Sequence, residues 1–186
     1  MNPPLANRGF TLIELLVSIG IFTIMTSAVL ANYRSFDINA RFANAAEDVV
    51  LALRQAQVYG VGVKKETVSG SFTMPYGVYF EQANPSQIKI FADTNGNNLY
   101  DTSPQDTIIE TIKWQGGIAV SANGLACDSA AGQSKISILF NRPNPDAVIK
   151  DHDGFSCSTG KITLTNGTKS SVITVSKAGQ ISLQSI

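Results

Sequence analysis

An apolar run, Phe10–Ala31, dominates the N-terminal part of the chain. It is 22 residues long, and Glu14 is its only ionisable side chain. A helix rises about 1.5 Å per residue, so this run is long enough to cross the roughly 30 Å hydrocarbon core of a bilayer. The preceding residues, 1–9, hold Arg8 and no acid. The positive-inside tendency therefore predicts a single-pass protein of the inner (cytoplasmic) membrane, with a cytoplasmic N-terminus and an extracytoplasmic remainder.

A secretory signal peptide is the alternative interpretation of the same run. Such signals have a shorter apolar core, of about 7–15 residues, followed by a small-residue cleavage site. Residues 26–28, Thr-Ser-Ala, offer only a weak site of this kind. We therefore favour a retained helix over a cleaved signal.

The composition of the 186 residues argues against several function classes. Fourteen basic and 14 acidic side chains give zero net charge, which disfavours broad electrostatic capture of nucleic acid. One His and two Cys leave few ways to build a zinc site or a His-dependent triad. We expect no enzymatic activity, no cofactor and no metal.

The junction before the apolar run, Arg8–Glu14, resembles the processing site of type IV prepilins and type II secretion pseudopilins. The resemblance implies that prepilin peptidase cuts between Gly9 and Phe10 and methylates the new terminus, giving N-methylphenylalanine. It also implies that Glu14 acts in assembly with other pilins or pseudopilins and an inner-membrane assembly platform. Before assembly the helix would lie in membrane lipid, and afterwards in a pilus or pseudopilus.

The position of Glu14 can also be interpreted from physical chemistry alone, without the resemblance to a family. A carboxylate in a lipid-facing helix costs roughly 2.5 kcal/mol or more, so it is expected to find a partner or to be protonated. One alternative is that it extends to the membrane interface near the helix end. The other is that the amine created by cleavage on one subunit pairs with Glu14 of a neighbour.

The helical pattern continues beyond the membrane segment to Tyr59. Apolar residues recur there at helical spacing, at Phe36, Phe42, Ala43, Ala46, Val49, Val50, Leu53 and Ala56. No proline interrupts residues 10–59, and Gly60 with Gly62 supplies a stop. We predict one helix of about 50 residues, near 75 Å long. The absence of proline is more typical of pseudopilins and some minor pilins than of many major pilins.

The remainder of the chain alternates with the period of β-strands. Seven or eight short strands are predicted, at 76–80, 87–91, 107–114, 118–120, 135–140, 161–165, 171–175 and 180–183. The expected fold is α+β and pilin-like, with a long N-terminal helix packed on an antiparallel sheet head. The predicted segments are a cleaved leader (1–9), a transmembrane half-helix (10–31), an amphipathic half-helix (32–60) and a head (61–186). The C-terminal strands resemble those of H-type pseudopilins and FimT-like minor pilins.

The two cysteines, Cys127 and Cys157, are predicted to lie outside the cytoplasm, where a disulfide persists. Their spacing is not the Cys-x-x-Cys of redox catalysts. A structural disulfide is therefore the favoured interpretation.

Two polar segments were considered as metal or catalytic sites. Asp93, Asn95, Asn97 and Asp101 alternate as in a calcium loop, but Pro104 stands where a bidentate acid belongs. An Asx-rich turn explains the same residues and is favoured. The second segment, 151–154 (Asp-His-Asp-Gly), is interpreted as a solvated turn because adjacent residues rarely converge on one ligand.

The last 33 residues contain three lysines and no acid. These lysines are Lys161, Lys169 and Lys177. If they align along neighbouring strands, they form a basic strip that could contact DNA, as some FimT-like minor pilins do. Lysines that block edge pairing are the favoured alternative. The leading function is thus a filament subunit, and the alternative is a membrane-anchored binding module such as a DNA receptor.

Overall fold

The computed structural model describes residues 9–62, 74–102, 106–128 and 130–186. The chain divides into two compact units, residues 1–40 and residues 41–186. Residues 1–8 of the predicted leader, and Pro104 of the calcium-like loop, lie outside the described residues.

A single helix, α1 (Leu12–Val61), corresponds to the two predicted half-helices, the transmembrane one and the amphipathic one. Within the first unit its described side chains are largely exposed, as a spanning helix without lipid would be. Within the second unit its periodic apolar residues are buried, and the largest are Phe42, Val49 and Leu53. The predicted helix of about 50 residues is confirmed. Two members of the predicted apolar face are not in the core, because Phe36 and Ala43 are exposed.

The head contains two antiparallel sheets. The first has the order β3-β2-β1-β6-β7-β8 and the second the order β11-β10-β9-β4-β5. The strands are β1 (Tyr76–Glu81), β2 (Gln87–Ala92), β3 (Thr107–Lys113), β4 (Ala119–Cys127), β5 (Ala130–Ala131), β6 (Lys135–Phe140), β7 (Ala147–Asp151), β8 (Ser156–Cys157), β9 (Thr159–Thr165), β10 (Ser170–Ser176) and β11 (Ile181–Ser185). The head is antiparallel, as predicted, and it consists of two sheets; the strand prediction omitted β5, β7 and β8.

One apolar core joins the C-terminal half of α1 to both sheets. It contains Leu53 and Ala56 of the helix, Phe80 and Ile138 of the first sheet, and Ile162 of the second. The packing confirms the α+β class, with the helix laid on a sheet head.

Gly60 lies where the helix approaches the first sheet most closely. A Cβ added at Gly60 would collide with the carbonyl oxygen of Phe140, the last residue of β6. The sequence predicts that Gly60 with Gly62 ends the helix. In the structure α1 continues through Gly60 and ends at Val61, immediately before Gly62, and Gly60 itself permits close packing.

A smaller cluster covers the other face of the first sheet. Its centre is Tyr79, Phe91 and Leu139, with Tyr100 packed against it. The ring centroids of Tyr100 and Tyr79 are 4.5 Å apart, and those of Tyr100 and Phe91 are 5.2 Å apart. Since Tyr100 belongs to the loop between β2 and β3, this loop is held down on the sheet by aromatic packing.

Candidate processing and assembly site

The predicted processing bond, between Gly9 and Phe10, precedes the first helical turn. Phe10 is 81% exposed, and no atom lies within 4 Å of a Cβ added at Gly9. Both residues of this bond are therefore exposed within the described part of the chain. Residues 1–8, which precede them, lie outside that part.

Thr11 begins the helix, a role that the sequence analysis missed. Its Oγ1 accepts a hydrogen bond from the backbone N–H of Glu14 at 3.3 Å. This is the N-cap arrangement, in which a side-chain oxygen satisfies an N–H that has no partner inside the helix. The spacing Thr-x-x-Glu is the sequence signature of a capping box and could have revealed it. Glu14 consequently lies in the first turn, where the helix dipole favours a negative charge.

Hydroxyl groups in the apolar half of α1 are satisfied inside the helix. Ser18 Oγ donates to the Glu14 carbonyl at 2.7 Å, and Ser27 Oγ donates to the Thr23 carbonyl at 2.8 Å. Thr23 Oγ1 donates to the Ile19 carbonyl at 2.8 Å. Such bonds let a hydroxyl enter an apolar medium without an unsatisfied donor.

The large apolar side chains of the same segment are mostly exposed within the described residues. Its large members are exposed by 53–81%: Phe10, Leu12, Ile13, Leu15, Leu16, Val17, Ile19, Ile21, Phe22, Ile24, Met25, Val29 and Leu30. Covering one such side chain is worth roughly 1.5–3 kcal/mol, so covering them all is worth on the order of 20 kcal/mol. That exceeds the whole stability of a typical domain. The energetics therefore favour a surrounding of lipid or of other helices for this segment.

Cys127 and Cys157 form a disulfide, as predicted, with their Cα atoms 5.5 Å apart. Cys127 ends β4 of the second sheet and Cys157 ends β8 of the first. Next to the bond, Asp128 Oδ1 accepts the N–H groups of Ser158 and Thr159 at 2.9 and 2.7 Å. The disulfide therefore ties the two sheets of the head together.

The calcium-like segment is an Asx-rich loop whose buried carboxylates face backbone donors. Asp93 accepts N–H bonds from Gly96 and Asn98 at 2.7 and 2.8 Å, one on each oxygen. Asp106 likewise accepts from Thr94 and Asp101 at 2.9 and 2.8 Å. Within the described residues, no group of three or more His, Cys, Asp or Glu is arranged to hold a metal ion.

Burial raises the pKa of the Asp106 carboxyl above its ordinary value. The N–H donors of Asp101 and Thr94 oppose this shift, and the nearby charge of Asp93 adds to it. The loop is thus organised around internal acids that hold its backbone in place.

The segment 151–154 forms a turn between β7 and β8. Asp151 Oδ1 accepts the N–H groups of Asp153 and Phe155 at 3.1 and 2.9 Å. His152 Nδ1 lies 3.0 Å from an Asp153 carboxylate oxygen, and both side chains are at least half exposed. The contacts are those of an exposed turn.

The three C-terminal lysines are all exposed but do not converge. Lys169 precedes β10 and Lys177 follows it, so about eight residues, or roughly 26 Å of extended chain, separate them. Lys161 lies on β9 opposite Thr174 of β10. The structure therefore brings Lys161 nearer to the Lys177 end than to the Lys169 end of β10.

Comparison with known proteins gives one finding, at the N-terminus. A family model described as the prokaryotic N-terminal methylation motif matches residues 5–30. No curated protein and no solved structure matches the chain. The motif is typical of structural proteins and not of enzymes, and it implies processing by prepilin peptidase and assembly with other pilins.

The helix geometry agrees with this motif. By length and composition α1 can cross a membrane, which together with the motif suggests a membrane-anchored, single-pass protein. The matched residues include the processing bond, the Thr11 cap and Glu14. The match, the long apolar helix and the sheet head together support a type IV pilin-like protein.

Proposed function

We propose that the chain is a minor pilin or pseudopilin, a structural subunit of a type IV pilus or of a type II secretion filament. The observation that carries the proposal is the uncovered apolar half of α1 directly after the methylation motif. The roughly 20 kcal/mol available from covering it is supplied by lipid before assembly and by neighbouring helices afterwards. The lack of proline in residues 10–59 supports the minor pilin or pseudopilin subgroup.

In this proposal each segment has a separate task. Residues 1–9 are the leader, removed by prepilin peptidase after Gly9, and Phe10 becomes the methylated terminus. Residues 10–31 form the membrane and filament segment, residues 32–60 connect it to the head, and residues 61–186 are the extracytoplasmic head. The disulfide in the head supports an oxidising location.

Glu14 is proposed to pair with the terminal amine of a neighbouring subunit. Its position in the capped first turn places the carboxylate four residues from the new terminus. In lipid the lone carboxylate is costly, and in a filament an amine beside it offsets that cost. Assembly is thereby favoured over remaining in the membrane.

The test is the variant Glu14→Ala, expressed as full-length chain. Mass spectrometry should find a mature protein that begins at methylated Phe10, since the cleavage bond is untouched. Immunoblots should show the protein in membranes and absent from sheared filaments. Glu47→Ala is the matched control, because it removes an exposed acid of the same helix within the head and should leave incorporation normal.

Two results would contradict the proposal at different points. Normal incorporation of Glu14→Ala rejects the pairing role. A native protein that retains Met1, or that starts beyond the apolar helix, rejects processing at Gly9.

A further inference from the structure

The part of α1 within the head has an exposed apolar stripe. The outer stripe consists of Leu51, Arg54, Val58 and Val61, which recur every three or four residues and so share one helix face. Leu51 is 60% exposed and Val58 is 66% exposed. Arg54 is the only charged residue between Leu51 and Val61, and among the described residues it forms no ion pair. The outer stripe is therefore apolar with one positive charge at its centre.

An exposed aromatic side chain lies elsewhere on the head. The aromatic turn, Asp153–Phe155, connects β7 to β8, and Phe155 is 71% exposed. Its backbone is fixed, since the N–H groups of both Asp153 and Phe155 donate to Asp151 Oδ1. The Phe155 carbonyl also accepts from the Asp151 N–H at 3.1 Å. A ring held on an ordered turn loses little conformational entropy when it binds.

The outer stripe and the aromatic turn lie on opposite sides of the first sheet. Helix α1 packs on the face that carries Phe80 and Ile138. The aromatic turn adjoins the loop that covers the other face, because a Cβ at Gly154 would lie 3.6 Å from Leu99 Cδ1. Tyr100, the next residue of that loop, packs on Tyr79. One copy of the head therefore cannot bring the two surfaces together, whereas two copies can.

We propose that the aromatic turn of one copy docks on the outer stripe of a second copy of this chain. Leu51 and Val58 are about 10 Å apart along the helix axis, which leaves room for the Phe155 ring over the Arg54 stem. There the Arg54 guanidinium meets the ring face and also reaches the Asp153 carboxylate. The apolar surfaces and the opposite charges are thus complementary.

Such a contact joins different surfaces on the two copies. When each copy gives its aromatic turn to one neighbour and receives the turn of another, the contact is heterologous and builds rings or open filaments. The inference deepens the proposed function, on which it rests, by naming a contact between heads in addition to that between the membrane helices.

The test places a photo-crosslinking phenylalanine at position 155 of the full-length chain. After irradiation of cells, mass spectrometry should locate the crosslink within residues 51–61 of a second copy. The single changes Arg54→Asp and Asp153→Arg should each lower the crosslink yield about tenfold, corresponding to 1.4 kcal/mol. The double variant, with the charges exchanged, should restore it.

The outcomes distinguish failure of the contact from failure of the proposed function. A crosslink to a different protein, a crosslink outside residues 51–61, or a double variant no better than the singles overturns it. The yield is measured in membranes as well as in sheared filaments. A correct crosslink without filaments keeps the contact and refutes the proposed function, whereas normal filaments without the crosslink do the reverse.

Discussion

Gly60→Ala tests whether α1 must lie as close to the first sheet as the structure shows. The new methyl group would collide with the Phe140 carbonyl oxygen and lie 2.8 Å from the carbonyl carbon. Both atoms belong to the backbone of β6, so no side chain can turn aside to make room. Overpacking of this kind costs about 1–3 kcal/mol, and a backbone clash belongs at the upper end of that range. Alanine gains about 1 kcal/mol over glycine in a helix interior. We expect a net loss of about 2 kcal/mol.

The assay is denaturant unfolding of the full-length protein in detergent, followed by fluorescence. The only tryptophan, Trp114, is buried in the head core, so its emission reports on head unfolding. Gly20→Ala is the matched control: it lies in the same helix, and a Cβ there meets nothing within 4 Å. The control should leave head stability unchanged. A Gly60→Ala protein as stable as the wild type would refute the close approach of α1 to β6.

Three further predictions concern the head. Replacing Cys127 and Cys157 with serine should cost about 3–4 kcal/mol by the chain-entropy relation for a 30-residue separation, measured by the same unfolding assay. A chelator should leave the melting temperature of the protein unchanged, because backbone N–H groups already occupy the buried carboxylates of Asp93 and Asp106; a drop reversed by calcium would contradict this. Salt-sensitive DNA binding should be absent in gel-shift assays. Binding that disappears when Lys161, Lys169 and Lys177 are all changed to alanine would restore the DNA receptor alternative.

The sequence predicts the helix and most strands because each has a strong period. The apolar run and the amphipathic pattern after it specify α1 to within two residues at each end. The strands β9 and β10 alternate in burial along their whole length, as their sequences indicate. Local pattern is sufficient where one face of an element meets the core.

Two of the missed strands are too short to show such a pattern, although β7, which was also missed, does alternate in burial. The strands β5 and β8 have two residues each and exist only through their pairing with β4 and β7. The strand β4 was predicted only as far as Val120, yet it continues to Cys127 through an irregularity at which Asn123 has φ of 59°. The C-terminal part of β4 pairs with β9, a partner far along the chain that a local window does not contain.

The candidate site was predictable to a similar degree. The spacing of Gly9, Phe10 and Glu14 predicts a processing and assembly site, and the family model matches the residues that contain it, whereas the Thr11 cap needed attention to helix ends. The calcium-like spacing shows the opposite case. The sequence shows where the oxygen-bearing side chains lie along the chain but not which groups they face. In the structure the carboxylates of Asp93 and Asp106 accept hydrogen bonds from the loop's own backbone.

The environment of Glu14 gives a physical reason to expect assembly. Thr11 accepts the N–H of Glu14, one of the N–H groups at the helix N-terminus that lack a partner inside the helix, and the hydroxyls of Ser18 and Thr23 bond to carbonyls of their own helix. The helix therefore needs no outside partner for these groups. What it does need is cover for its apolar surface and a compatible environment for one carboxylate, and both are supplied from outside the chain. Lipid would supply only the first. In the proposed filament, a neighbouring subunit with a free terminal amine would supply both, which is the physical reason why we expect assembly to depend on Glu14.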